Sequence, residues 1–472
     1  MAGLTLPLRA ALTVIALGGF PSALLAADTA PSEPLQIFAR FKSALEANDL
    51  ATAGQRAEEL VAITEAQRGK DSRELVNPLT NLGTVQFRRG NFAAAEANYQ
   101  RAIALIEGQV SGADRLLIRP LQGLGETWLA SNRPADAATA LKRAVDLSRN
   151  LDGLYNADQL DAVDALIEAY EKMGAKAEAE REHQYAFRIA ETNFGKRDLR
   201  LVEPLDRYAR FFESVGRYAT ARGLHARALQ LAEELSAAKP VVGVPALRGL
   251  ARTWLLEAIY GPEVEAQPAF ELNDGGDPFV NNANQARLNS EGLRALSFAL
   301  DVVNRSKPVD LRQLGELHAQ IGDWYLISGN LGRAYASYGD SWKALSNAAV
   351  ATGTPQLRAL LESPRVLVYR APSASASRMR VQNSDDYAVK DVEMRLKVGK
   401  DGKVLDVVVA NTAAPENSTK AAMLAARKTR FAPRIVDGEP AETEGVVLRE
   451  QLMVRIQRSP QASSSDPPAA TP

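Results

Sequence analysis

The chain has 472 residues, a net charge of −1, 46% apolar and 24% charged residues, three histidines and no cysteine. That length allows two or more domains of ordinary soluble composition. The charge balance provides no general attraction to nucleic acid or anionic lipid, and the missing thiols exclude disulfides, cysteine-ligated zinc, iron–sulfur clusters and thiol catalysis.

The first 27 residues read as an export signal. Arg9 supplies the positive end, Ala10–Phe20 is a short apolar run, Gly18, Gly19 and Pro21 weaken the helix, and Ala26 and Ala27 offer small residues for cleavage. No cysteine follows the run, so a lipid anchor of the lipobox type is excluded. The expected location is a bacterial periplasm, with membrane contact only if this segment stays uncleaved, since a span needs about 20 apolar residues.

Five alanines then recur at one interval of 42 residues: Ala53, Ala95, Ala137, Ala179 and Ala221. Three further registers keep the same phase: Gly90, Asn132, Gly174 and Gly216; Leu105, Leu147, Ile189 and Leu231; Ala102, Ala144, Ala186 and Ala228. Such a pattern means one folded unit copied in series, and units of that kind stack and bind. In the second unit Leu79, Leu82 and Gly83 share one helical face, Gly90-Asn91 is a turn, and Ala95, Tyr99 and Ala102 share a second face. Each unit therefore reads as helix–turn–helix. Gly83 and Ala95 are small where the two helices approach, and Tyr99 fills the space between one pair and the next. Pro78, Pro120 and Pro204 fall in the first turn of the leading helix, where a missing N–H costs little.

The Gly83, Ala95, Tyr99, Ala102 pattern resembles the tetratricopeptide repeat. The period exceeds the standard one of about 34, and with Gly69-Lys70-Asp71 leading into Leu75–Leu79 the unit is similar to the kinesin-light-chain type. The resemblance implies an α-solenoid over 33–350. Leu247, Leu250, Ala251 and Trp254 open a sixth leading helix, whose partner is interrupted by an insertion over 261–284 before helical pattern resumes at Arg287–Val303. Ile321, Gly322, Tyr325, Gly329, Leu331, Ala334 and Tyr338 mark a last unit.

The grammar changes over 351–384, a linker with a short strand at Val366–Tyr369. Val389–Val398 alternates as a strand, Gly399-Lys400-Asp401-Gly402 is a hairpin turn, Lys403–Ala410 returns, Asn417–Thr429 is helical and Val446–Ile456 is a final strand. The expected fold class is thus mainly α, a solenoid of helical hairpins followed by a small α+β domain of ββαβ order. Asp401-Gly402-Lys403-Val404, Ala421-Ala422, Arg430-Phe431-Ala432-Pro433 and Asp437-Gly438 resemble the C-terminal domain of the TonB family over 385–458, with Thr429 where that family often has tryptophan. The resemblance implies an energy-transducer or accessory role contacting outer-membrane transporters, with partners pairing along the edge of Val446–Ile456. The long Pro-Lys/Pro-Glu spacer of that family is missing, which favours binding over force transmission. The tail over 459–472 is Ser/Pro/Ala-rich and expected to be disordered.

Leading helices line the inner face of a repeat superhelix. Matching positions to the repeat puts Asp161, Asp164, Glu168, Glu171 and Lys172 there in the fourth unit, and Glu203, Asp206, Arg210 and Glu213 in the fifth. Seven acids against two bases favour a basic peptide. The second and third units carry a mixed set, Asn77, Thr80, Thr84, Phe87, Arg88, Arg119, Gln122 and Glu126. The bland alternative is a solvated helix surface.

No HExxH, GxSxG or phosphate-loop motif occurs. Gly123-Leu124-Gly125 lies in a leading helix, where glycine is a packing residue. His183 and His225 take the slot of Tyr99 and read as half-buried substitutes for an aromatic, without a third ligand for a metal. The expected function is a non-enzymatic, periplasmic scaffold that binds proteins or peptides, with no cofactor, metal or nucleic acid. The transporter-contacting role of the terminal module is the alternative.

Overall fold

The computed structural model describes residues 33–108, 114–261, 291–373, 375 and 387–456. The expected export signal, the 261–284 insertion beyond Gly261, the end of the linker and the tail from 459 lie outside the described residues. The chain divides into two compact units that meet between Ala238 and Lys239.

The first unit is five helical hairpins: α1 (Glu33–Glu46) with α2 (Leu50–Arg68), α3 (Val76–Arg88) with α4 (Phe92–Glu107), α5 (Ile118–Ala130) with α6 (Pro134–Asp152), α7 (Leu160–Lys172) with α8 (Lys176–Phe194), and α9 (Val202–Ser214) with α10 (Tyr218–Leu235). The trailing helices α2, α4, α6 and α8 each pack on the next leading helix, and α5 also touches α3 and α7. The hairpins thus form a helical-repeat solenoid, as the 42-residue period predicts. The turn register has a backbone cause. Asn48, Gly90, Asn132, Gly174 and Gly216 all have φ between 56° and 84°, a conformation that glycine and asparagine reach most cheaply. The next amide then bonds back five residues, as from Asn91 N to Gln86 O at 2.9 Å and from Arg217 N to Phe212 O at 2.8 Å, which satisfies a carbonyl orphaned at the helix end.

Between hairpins the chain makes a short 3₁₀ turn whose cap repeats in phase. Ser72, Asp114, Asn156 and Asp198 each accept a hydrogen bond from the amide two residues on. These turns and trailing helices of up to 19 residues take up the length beyond a standard repeat. Ion pairs also recur in phase between successive trailing helices: Glu65–Arg101 and Glu107–Arg143 at 2.5 Å, and Glu191–Arg227 at 2.7 Å. At the intervening position the partners are replaced by Arg149 stacked over Tyr185 at 3.9 Å. Exposed pairs of this kind are worth at most about 1 kcal/mol each, so they fix alignment more than stability.

The second unit begins with α11 (Val244–Tyr260), which packs on α12 (Leu293–Arg305); α12 packs on α13 (Leu311–Ile327), which pairs with α14 (Leu331–Thr352) in the last hairpin. There Gly322 faces the Tyr338 ring, as Gly83 faces Tyr99 in the first unit.

The strands are β1 (Arg365–Val368), β2 (Tyr387–Val398), β3 (Val404–Thr412), β4 (Arg430–Ala432), β5 (Arg434–Val436), β6 (Glu439–Ala441) and β7 (Thr443–Arg455), with α15 (Glu416–Arg427) after β3. The expected ββαβ order is present as an antiparallel sheet β3–β2–β7, with Ala422 and Ala426 of α15 in one core with Met394, Leu396, Phe431 and Leu452. Two features go beyond that expectation. The strand near Val366 is paired with β4, and β5 pairs with β6. Three-residue strands show no alternation to read in sequence.

Candidate functional site

The leading helices α3, α5, α7 and α9 repeat one frame. Its inward positions stay apolar and buried: Leu79, Leu121, Val163 and Leu205 are at most 4% exposed. Its outward positions vary in chemistry and stay half-buried or exposed: Asn77, Arg119, Asp161 and Glu203 in one row, Thr84, Glu126, Glu168 and Arg210 in another.

Most of the acids expected to await a partner already have one. Asp164 bonds Arg207, from the next leading helix. Glu168 pairs with Lys172 at 2.9 Å, and Lys172 also donates to Leu129 O at 3.4 Å. Asp206 pairs with Arg210 at 2.7 Å. Glu171 bonds His183 Nε2 at 3.0 Å, and Glu213 bonds His225 Nε2 at 2.9 Å. Glu203 stands exposed in the first turn of α9, where a carboxylate suits the positive helix end. Counting acids against bases missed Arg207, whose charge offsets Asp164, and the two histidines that hold Glu171 and Glu213 in hydrogen bonds.

The histidines occupy the Tyr99 slot as expected, but they are buried rather than half-buried, and they work as polar ties. His183 also lies against Tyr208 and Phe211 of α9, with ring centroids 5.8 and 4.7 Å away. His225 is fully buried, with Asp206 Oδ1 3.6 Å from its Nδ1. Each imidazole joins the two helices of its own hairpin.

Two acids raised by desolvation face each other across the third and fourth units. Desolvation raises the Glu126 carboxyl above its ordinary range; the Gln122 amide, donating at 2.9 Å, and Arg119 oppose that, while Asp161 and Glu168 add to it. Asp161 is raised by desolvation and then by Asp164, against Arg207 and Arg119. Arg119 is itself held below its usual range by desolvation, with Asp158, Asp161 and Glu126 pulling it back up. This α5–α7 face is therefore a partly dehydrated polar surface on which negative charge is costly. A cationic group placed there lowers that cost. The mixed third-unit residues Arg119, Gln122 and Glu126 belong with Asp161 and Glu168, a grouping that only the packing of α5 on α7 makes.

The sign for Glu126 follows from its raised value. The ionised carboxylate weakens the fold at neutral pH, and the penalty disappears below the ordinary glutamate range, near 4.3. Glu126→Gln is expected to raise the thermal unfolding midpoint at neutral pH, with the gain fading as pH falls through the folded-state value. Calorimetry across pH checks this; a variant less stable than the parent at pH 7 contradicts it.

Among the described residues no group of three or more His, Asp or Glu side chains is placed to hold a metal ion, and no helix is long and apolar enough to cross a membrane.

No family model matches the chain, and no curated protein matches it. Solved structures do. The C-terminal part of a TPR repeat-containing protein from Cytophaga hutchinsonii is 12% identical with a TM-score of 0.44, the match covering 68% of this chain and 99% of that one. A tetratricopeptide repeat protein from Parabacteroides merdae is 15% identical with a TM-score of 0.38, covering 69% and 98%. BtubC (BKLC) from P. vanneervenii is 14% identical with a TM-score of 0.37, covering 71% and 97%. All three are distant in sequence and in superposition.

Proposed function

We propose that the chain is a protein-binding repeat scaffold, exported to the periplasm, whose open leading-helix face takes an extended segment of a partner protein. One observation carries this reading: the four copies of the frame keep their inward residues and change their outward ones. Packing explains the first. A surface that only had to be wet has no need of half-buried Glu126 beside half-buried Arg119. The partner segment is basic, and its contact centres on α5 and α7, with Asp161, Glu126 and Glu168 facing it.

A photo-crosslinking residue at Gln122, on the open face, is expected to trap partner protein in living cells. The same residue at Lys142, exposed on the trailing helix α6, is expected not to. Asp161→Lys with Glu126→Lys is expected to abolish trapping from position 122. Equal adducts from both positions, or adducts indifferent to the charge reversal, sink the reading.

A second reading gives the terminal module contact with outer-membrane transporters through the β7 edge, as its TonB-like order implies. Ser375 already bridges that edge at Leu452, so strand pairing there requires the chain's own segment to leave.

A further inference from the structure

We infer that the C-terminal module is a permanent cap on the last hairpin rather than a docking head on a tether. The end of a repeat stack is a physical problem. Every hairpin buries one face on its neighbour, so the last one needs a cover that is apolar inside and polar outside.

The module supplies such a cover. Ala432 and Ile435 share a buried core with Leu326 of α13, Tyr338 and Leu345 of α14, and Leu361. Ile435 N donates to Leu361 O at 2.8 Å. Asp323, only 6% exposed, holds Arg365 of β1 at 3.0 Å and accepts from the Tyr338 hydroxyl at 2.8 Å. Two glycines mark close contact, Gly339 with the module's backbone and Gly402 with the Leu326 side chain and, inside the module, with Phe431 O. A Cβ on Gly339 of α14 would stand 3.4 Å from Gly438 O, and one on Gly402 would stand 3.1 Å from Leu326 and only 2.0 Å from Phe431 O. A second anchor holds the other side. Arg370 donates to Ile259 O at 2.5 Å, at the C-terminal end of α11, and the Tyr260 hydroxyl donates to Tyr369 O at 3.3 Å. A cation at a helix C-terminus satisfies a carbonyl that the helix leaves open.

The chain stays packed on the hairpin as far as β1. After α14 ends at Thr352, the chain forms a 3₁₀ turn over Pro355–Leu360 that packs on α14, then enters β1. The sheet edges also suit a cover better than a docking strand. Ser375 bridges β7 at Leu452. On β3 the pairing skips Leu405 and Ala410, two bulges that bend the free edge.

Hydrogen exchange on the full chain tests the cap. Amides of α14 and of β4–β6 are expected to open in one step, and Arg365→Leu to speed both together by about two hundredfold to five thousandfold. Fast exchange of β4–β6 with α14 still protected would falsify the inference.

Discussion

Gly123→Leu is expected to destabilise the first unit by about 2–3 kcal/mol, the cost of forcing volume into a filled core. Gly223→Ala is expected to stabilise it by about 1 kcal/mol. Both glycines lie inside helices, α5 and α10. They differ in what stands opposite. Nothing lies within 4 Å of a Cβ on Gly223, whereas one on Gly123 would be 2.4 Å from Tyr99 Cζ and 2.6 Å from its hydroxyl. The ring has nowhere to retreat. On its other side a Cβ on Gly83 would be 2.8 Å away, and the hydroxyl is held to Thr84 Oγ1 at 3.1 Å. Tyr99 is thus clamped between a glycine of its own hairpin and one of the next. Helix propensity favours replacing either glycine, and packing forbids it at position 123. Urea unfolding of the two variants measures the difference. A double-mutant cycle with Tyr99→Ala should show strong coupling to Gly123→Leu and none to Gly223→Ala. If Gly123→Leu proves as harmless as the control, the wedge between hairpins is not what holds the stack.

That wedge was legible before any coordinates, because size and phase agree along the chain. Ala53, Ala95, Ala137, Ala179 and Ala221 are all fully buried, and the Gly/Asn register falls on the positive-φ turn. A further signal stands in the same phase: Ser72, Asp114, Asn156 and Asp198 are cap residues at the same interval. The open face was less legible. Helical position shows which side chains point outward but not which neighbour they bond. Asp164 meets Arg207, 43 residues on, and Glu171 and Glu213 each meet a histidine 12 residues on. Such pairings depend on how one hairpin sits on another and within itself. The arginine offsets one charge of a face that a count of acids made strongly negative, and the histidines hold two more of its carboxylates in hydrogen bonds. The cap was illegible for a similar reason. Arg365 lies in a segment with the look of a linker, and its partner Asp323 lies in a leading helix 42 residues earlier.

Arg365→Leu is expected to cost about 3–5 kcal/mol, because it leaves a carboxylate buried without its cation. Burial pushes the Asp323 carboxyl up, and Arg365 and the Tyr338 hydroxyl act against that push. With Arg365 gone only the hydroxyl remains, so the carboxyl rises further. Its ionised form then penalises the fold fully above the folded-state value and not at all below the ordinary aspartate range, near 3.9. The variant should therefore recover part of its deficit relative to the parent as pH falls from neutral toward the ordinary aspartate range. Asp323→Leu together with Arg365→Leu should recover more than that at neutral pH, since no buried charge is left in want of a partner and leucine keeps the core filled, although the Tyr338 hydroxyl loses its acceptor. Thermal unfolding of the three proteins at several pH values separates these outcomes. A deficit independent of pH, or a double variant worse than Arg365→Leu alone, would mean that the arginine acts through its stem packing and that the ion pair does not latch the terminal module to the last hairpin.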